Sequence, residues 1–266
     1  MSARAGVGAS PAYGAIAGVS LPQQLRSVGA GWWHNWSLNA PAVVDGAGGE
    51  FVPMVWSGNT AGIKAPAGSR WLLGFNEPDS ASQADMTLDE CARAWRRVEV
   101  VNPALKLVAP APTADIRGWR DDWVEVYRRL WGEDPRFDAV AVHVYPQKWG
   151  YFEECIAAAW QFARRYGVRL WVTEYAFLPC WAPAPGDAVA MLKRMTTYMA
   201  RDPARFDRWA PFILTCSGRE KWAFGEECNS SLVDYYTGQL TELGRGYLEC
   251  RPGCLPRALR ALGFGQ

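Results

Sequence analysis

The sequence has no dominant charge: across 266 residues, 28 Lys and Arg face 27 Asp and Glu, a formal net charge of +1. That balance leaves no electrostatic footprint for nucleic acid or for an anionic membrane, so neither is expected as a partner, and a neutral polymer fits better. There is also no run of 18 or more uncharged apolar residues, the length a bilayer span requires, although 49% of the chain is apolar. A soluble globular protein is expected. Internal repeats, low-complexity segments and composition breaks are absent. One domain over 1–266 follows, with a core of about 13–250, a lead of 1–12 and a tail of 251–266. Histidine is scarce, with only His34 and His143. The first nine residues carry no apolar stretch flanked by positive charge, so no signal peptide is expected within them.

Cysteine is present seven times, at positions 91, 155, 180, 216, 228, 250 and 254, but never as C-x-x-C. No metal site is therefore expected. The count fits a secreted, extracellular or cell-wall protein with up to three disulfides and one thiol left over; the alternative is a cytosolic enzyme with buried free thiols. Tryptophan, by contrast, is abundant, with 15 residues. A flat apolar face with one polar edge suits sugar rings, which expose C–H patches between hydroxyls, so the surplus points to carbohydrate as well as to packing.

Strand-like apolar runs recur at 15–20, 29–36, 51–56, 71–75, 106–109, 139–145, 170–175 and 209–214. Helix-period segments or turn residues separate them, the alternation of a parallel α/β fold. Thr87 and Glu90 form a capping box, and Leu88, Cys91, Trp95 and Val98 follow at helical spacing until Asn102 and Pro103 stop the run. Further helices are expected at 122–130, at 152–166 before Gly167, and at 187–199, where Val189, Leu192, Met195 and Met199 share a stripe. Trp95, Trp123 and Trp160 lie on such stripes and are expected in the core. Residues 39–50 and 57–69 are rich in Gly, Ala and Pro and read as loops. The fold class is α/β: a single (β/α)8 TIM-type barrel with some helices shortened or missing.

Two of the strands end in glutamate, Glu77 after 71–75 and Glu174 within 170–175. Pro78 stops the first ladder at once, and the C-terminal rim is where barrel enzymes carry their chemistry. Asn76 and Glu77 point to opposite sides of a regular strand, so for both to serve one site the chain must bulge or turn there. Period two places Glu174 with Leu170 and Val172, and His143 with Tyr145 on an inward face of the neighbouring strand. Two facing carboxyl groups are the usual requirement for cleaving a glycosidic bond, one to give a proton and one to attack or to activate water. A solvated or salt-bridged strand end is the ordinary role of a single glutamate; two matched strand ends favour catalysis.

Residues 50–56, 71–79, 138–145 and 170–177, with 231–244 near the C-terminus, resemble the sequence blocks of glycoside hydrolase family 128, in the same order and over most of 15–248. The resemblance implies a retaining endo-β-1,3-glucanase on a (β/α)8 barrel, with Glu77 as general acid/base and Glu174 as nucleophile. The segment from Gly31 to Trp36 is only similar to the family's aromatic-Asn-Trp segment, and the tail after Cys250 departs from the family.

The expected substrate-binding set is Asn76, on a sugar 2-hydroxyl; His143 and Tyr145, on Glu174 or a hydroxyl; Trp33, Asn35, Trp36 and Trp56 at the ends of the second and third strands; and Trp149, Tyr151 and Trp181. His34 is open between a functional and a packing role. The expected partner is β-1,3-glucan or laminari-oligosaccharides, bound by a monomer that uses no cofactor and no metal. The alternatives are a related glycosidase acting on another β-glycan and a non-catalytic β-glucan-binding protein.

Overall fold

The structure is a computed structural model in which residues 3–10, 15–16, 18–42, 48–113, 118–184, 186–219 and 228–250 are described. In chain order the strands and helices are β1 (Gly6–Gly8), β2 (Ala15–Ile16), β3 (Val19–Ser20), α1 (Leu21–Ser27), β4 (Trp32–His34), β5 (Glu50–Phe51) and β6 (Trp71–Leu73). There follow α2 (Leu88–Val101), β7 (Lys106–Ala109), α3 (Trp119–Trp131), β8 (Ala139–Val144), α4 (Trp149–Arg165), β9 (Arg169–Tyr175), α5 (Asp187–Arg201), β10 (Phe206–Pro211) and α6 (Glu242–Glu249). Short 3-10 turns occupy Gly58–Thr60 and Pro179–Trp181. The chain resolves into two compact units. A central unit takes His34–Ala40 and Phe51–Tyr175, and a terminal unit takes Met1–Trp33, Pro41–Glu50 and Ala176–Gln266.

The central unit is α/β. Strands β6, β7, β8 and β9 lie side by side in that order, all parallel, with α2, α3 and α4 as the successive crossovers. Every residue of β8 is buried, which explains why it is apolar apart from His143: a parallel strand covered on both faces has no polar side to alternate with. At the start of α2, Thr87 accepts from the Glu90 N–H while Glu90 reaches back to the Thr87 N–H. Such a cap is worth about 1 kcal/mol. The buried stripe Cys91, Ala92, Trp95 and Val98 counts for more. One indole of about 200 Å² contributes roughly 5 kcal/mol when fully buried, so packing rather than the cap fixes which face turns inward. Trp95 and Trp123 are both fully buried and meet edge to face at 5.6 Å, with Phe75 against Trp95 at 5.8 Å. Glu99 joins α2 to α3 by accepting from Tyr127 at 2.5 Å and from the Arg136 N–H at 2.7 Å.

In the terminal unit, β1 runs parallel to β10 through the Ala5 and Trp209 bridge, and Tyr247 of α6 donates to the Gly6 carbonyl at 2.8 Å. Gly246 lets α6 approach α5 closely, because a Cβ there would stand 2.7 Å from Val189 Cγ1. Cys180 and Cys228 form a disulfide across 48 positions.

Several expectations need correction. Residues 15–20 are not a sheet strand but the antiparallel pair β2 and β3, and the first strand of the chain is the unexpected β1, too short and glycine-rich to stand out. Of 51–56 only the start is strand, with one further bridge from Met54 to Leu73. Helices α1 and α6 were not anticipated. The first is a seven-residue turn opened by the Ser20 and Gln23 capping box, and the second carries two glycines. Trp160 is half-buried rather than core. Among the described residues there is one disulfide instead of up to three; Cys91, Cys155, Cys216 and Cys250 are free thiols, the first three buried, and Cys254 with the rest of the tail lies outside the described residues. No helix among the described residues is long and apolar enough to cross a membrane.

Candidate active site

The site assembles at the C-terminal ends of β6, β8 and β9, within the central unit. After β6 the chain keeps one more set of ladder-like bonds: the Gly74 N–H donates to the Val108 carbonyl, the Asn76 N–H to Trp56 and the Glu77 N–H to Ala111. Gly74 is required there, since a Cβ would lie 2.8 Å from the Val108 oxygen and from the Trp95 ring, and 2.9 Å from the Pro110 nitrogen. Glu77 then turns into the left-handed region, with φ of 45°. A non-glycine residue held there carries a cost of about 1–3 kcal/mol, met by the bonds on either side. This turn is the one that the sequence requires for Asn76 and Glu77 to serve the same place.

On β9 the pairing with β8 shifts. Val142 faces Val172, but His143 faces Glu174, so Thr173 is an extra residue on β9. The bulge breaks the period-two count from Leu170 through Val172, which therefore fails to describe Glu174, and it sets the Glu174 carboxylate beside His143. The count on β8 holds, because His143 and Tyr145 both reach Glu174.

Glu174 is buried, 5% exposed. Trp36 donates its indole N–H to Oε1 at 2.6 Å and Tyr145 donates its hydroxyl to Oε2 at 2.5 Å. His143 lies between the two acids, Nδ1 being 2.8 Å from Glu77 Oε1 and Nε2 being 3.4 Å from Glu174 Oε1. One oxygen from each glutamate and one ring nitrogen of His143 all fall within 4.8 Å of one another, the only such His/Cys/Asp/Glu group among the described residues spaced to hold a cation. The same closeness suits a retaining glycosidase, whose carboxyl groups stand about 5 to 5.5 Å apart.

Burial raises the Glu174 pKa, with the Glu77 charge acting in the same sense and His143, Tyr145 and Trp36 opposing. For His143 burial disfavours the charge, yet Glu174 and the hydrogen bond to Glu77 outweigh it and raise the pKa. Burial and the Glu174 charge together keep Tyr145 a neutral donor, its pKa well above the phenol value. His34 behaves oppositely to His143, since burial lowers its pKa to about 3 and it stays neutral.

Of the sequence-derived set, Glu77, Glu174, His143, Tyr145 and Trp36 come together. Asn76 is buried beside Glu77 and donates to Gln83 Oε1 at 3.1 Å, a partner with no sequence signal. Asn35 is spent on a turn: Oδ1 accepts from the Ser37 N–H and Nδ2 donates to the Asn39 carbonyl. That turn holds Trp36 at φ of 56°. Trp33 is 1% exposed and offers no open ring face, so packing claims it. Trp56 is half-buried, Trp149 and Tyr151 open α4 with Trp149 against Phe152 at 5.0 Å, and Trp181 sits in the terminal unit against Phe177 at 6.4 Å.

Residues 14–247 match the sequence family described as glycosyl hydrolase catalytic core. No curated protein matches the chain. Among solved structures, a glycoside hydrolase family 128 subgroup II endo-β-1,3-glucanase from Pseudomonas viridiflava is 31% identical, with a TM-score of 0.72 over 94% of this chain and 98% of that one. A subgroup I endo-β-1,3-glucanase from Amycolatopsis mediterranei, solved with laminaritriose, is 24% identical, with a TM-score of 0.73 over 94% of this chain and 100% of that one. A subgroup III curdlan-specific exo-β-1,3-glucanase from Blastomyces gilchristii, solved with glucose, is 25% identical, with a TM-score of 0.61 over 92% and 97%. A glycosidase-like carboxylate pair on parallel strand ends, a family match over most of the chain and a 31% identical relative lead to one statement: the chain belongs to the glycosyl hydrolase catalytic core family, as a member of glycoside hydrolase family 128.

Proposed function

We propose that this protein hydrolyses β-1,3-glucan with retention of configuration, Glu174 acting as nucleophile and Glu77 as general acid/base. The observation that carries the reading is the Glu77, His143 and Glu174 cluster, with its acids within 4.8 Å and a histidine between them. Glu174 attacks the anomeric carbon while the proton held on the Glu77 and His143 pair passes through Glu77 to the departing oxygen. The N–H of Trp36 and the hydroxyl of Tyr145 favour the carboxylate form of Glu174 and fix both its oxygens, so the attacking lone pair is aimed before substrate arrives. In the second half, Glu77 takes a proton from water as the water displaces Glu174 from the glycosyl ester.

The substrate class follows from the relatives, of which the Amycolatopsis mediterranei endo-β-1,3-glucanase was solved with laminaritriose, laminaripentaose and laminarihexaose. The family match over 14–247 supports one catalytic domain on a (β/α)8 barrel with shortened helices, and the disulfide supports an extracellular setting. Glu174→Gln keeps the shape and removes the nucleophile. Its laminarin cleavage, followed by reducing-sugar release, falls by several orders of magnitude; a variant close to wild type would overturn the assignment.

A further inference from the structure

We propose that His34 is a positioning residue for the nucleophile, acting as a neutral brace that sets Glu174 through two routes at once. The first route is the backbone. His34 Nε2 lies 3.1 Å from the carbonyl oxygen of Thr173, which has no proton to give, so the ring carries its proton on Nε2 and donates. Thr173 is the extra residue of the β9 bulge, and Glu174 is the next residue. The bond from His34 therefore holds the peptide whose orientation decides where the Glu174 side chain leaves the strand. The second route is a side chain. The His34 ring meets Trp36 edge to face at 4.8 Å and 67°, and Trp36 donates to Glu174 Oε1. Trp36 has a left-handed backbone, so its indole depends on neighbours to keep its place.

His34 itself is fully buried, with its Nε2 on the Thr173 carbonyl. Its neutrality matters, because a charged imidazolium there would stand near the His143 charge.

The inference depends on Glu174 being the nucleophile, and the test separates the two. His34→Gln retains a neutral N–H at similar reach, and His34→Leu removes the donor at similar size. On laminarin, kcat of the Leu variant falls about 10- to 100-fold with KM within threefold, the cost of a nucleophile displaced by an ångström or less. The Gln variant stays within threefold of wild type. The same His34→Leu change is then placed in a Glu174→Ala protein supplied with azide and an aryl β-laminarioside. There azide forms the C1–N bond on the vacated face as the C1–O bond breaks and phenolate leaves with its electron pair. A brace acting through Glu174 has nothing left to position, so the azide-rescued rate is unchanged within twofold.

A Leu variant with wild-type kcat overturns the proposal, and so does a parallel loss of the azide-rescued rate, which would mean that His34 shapes the site in general. Should the Leu variant fail to fold, His34→Asn, whose amide falls one bond short, replaces it in both arms with the same expected outcomes. Absence of any azide rescue in Glu174→Ala would remove the nucleophile assignment, and the brace with it.

Discussion

At the scale of single residues, the chain's two histidines are driven to opposite protonation states by what they face. His143 has a carboxylate on each side and keeps its proton beyond the ordinary imidazole range. His34 faces a carbonyl and an indole, and burial lowers its pKa to about 3 from 6.5. The unfolded chain binds that proton as pH falls below 6.5 while the folded chain does not. Between about pH 6.5 and 3, His34 therefore lowers stability on acidification, by about 1.4 kcal/mol per pH unit. His143 and Glu174, with raised values, act in the other direction and are common to wild type and variant. Melting temperatures measured from pH 7 to pH 4 should fall more steeply for wild type than for His34→Gln. Parallel curves would show that His34 is not held neutral.

At the scale of elements, strand ends and bulges carry the function, while helices hold the strands in register. The α2 capping box is remote from the acids, and Thr87→Ala removes one N-terminal acceptor without touching the stripe of Trp95 and Val98. Stability to urea should drop by about 1 kcal/mol with kcat unchanged, as a cap but not a site residue requires. A loss below about 0.3 kcal/mol would mean that packing alone holds the helix.

The cap, the stripe and the strands from β6 to β9 were legible in the sequence because each rests on a local pattern: a polar residue three before its partner, or an apolar run closed by a glutamate. The pairing of Glu77 with Glu174 was legible for the same reason. The bulge at Thr173 was not, since nothing in Val172, Thr173 and Glu174 marks which residue is extra; the register is set by β8. Strand β1 and the two-residue strands escaped because they are too short for a period. Trp33 misled because a tryptophan at a strand end looks the same in sequence whether its ring meets a sugar or the core. Cysteine count misled similarly, because a buried thiol packs as a small apolar group and needs no partner.

At the scale of the whole molecule, near-zero net charge, abundant tryptophan and a close pair of acids, one buried and one partly exposed, all suit a neutral polysaccharide, and the family relatives name one. The proposed double displacement fixes the stereochemistry of hydrolysis as retention, the outcome expected where the two carboxyl groups stand about 5 to 5.5 Å apart. Proton NMR of a laminari-oligosaccharide during the first minutes of cleavage, before mutarotation, reads this directly. The account predicts that the newly released reducing end appears first as the β-anomer, with the α-anomer growing in only at the rate of spontaneous mutarotation. A product that appears first as the α-anomer would contradict it.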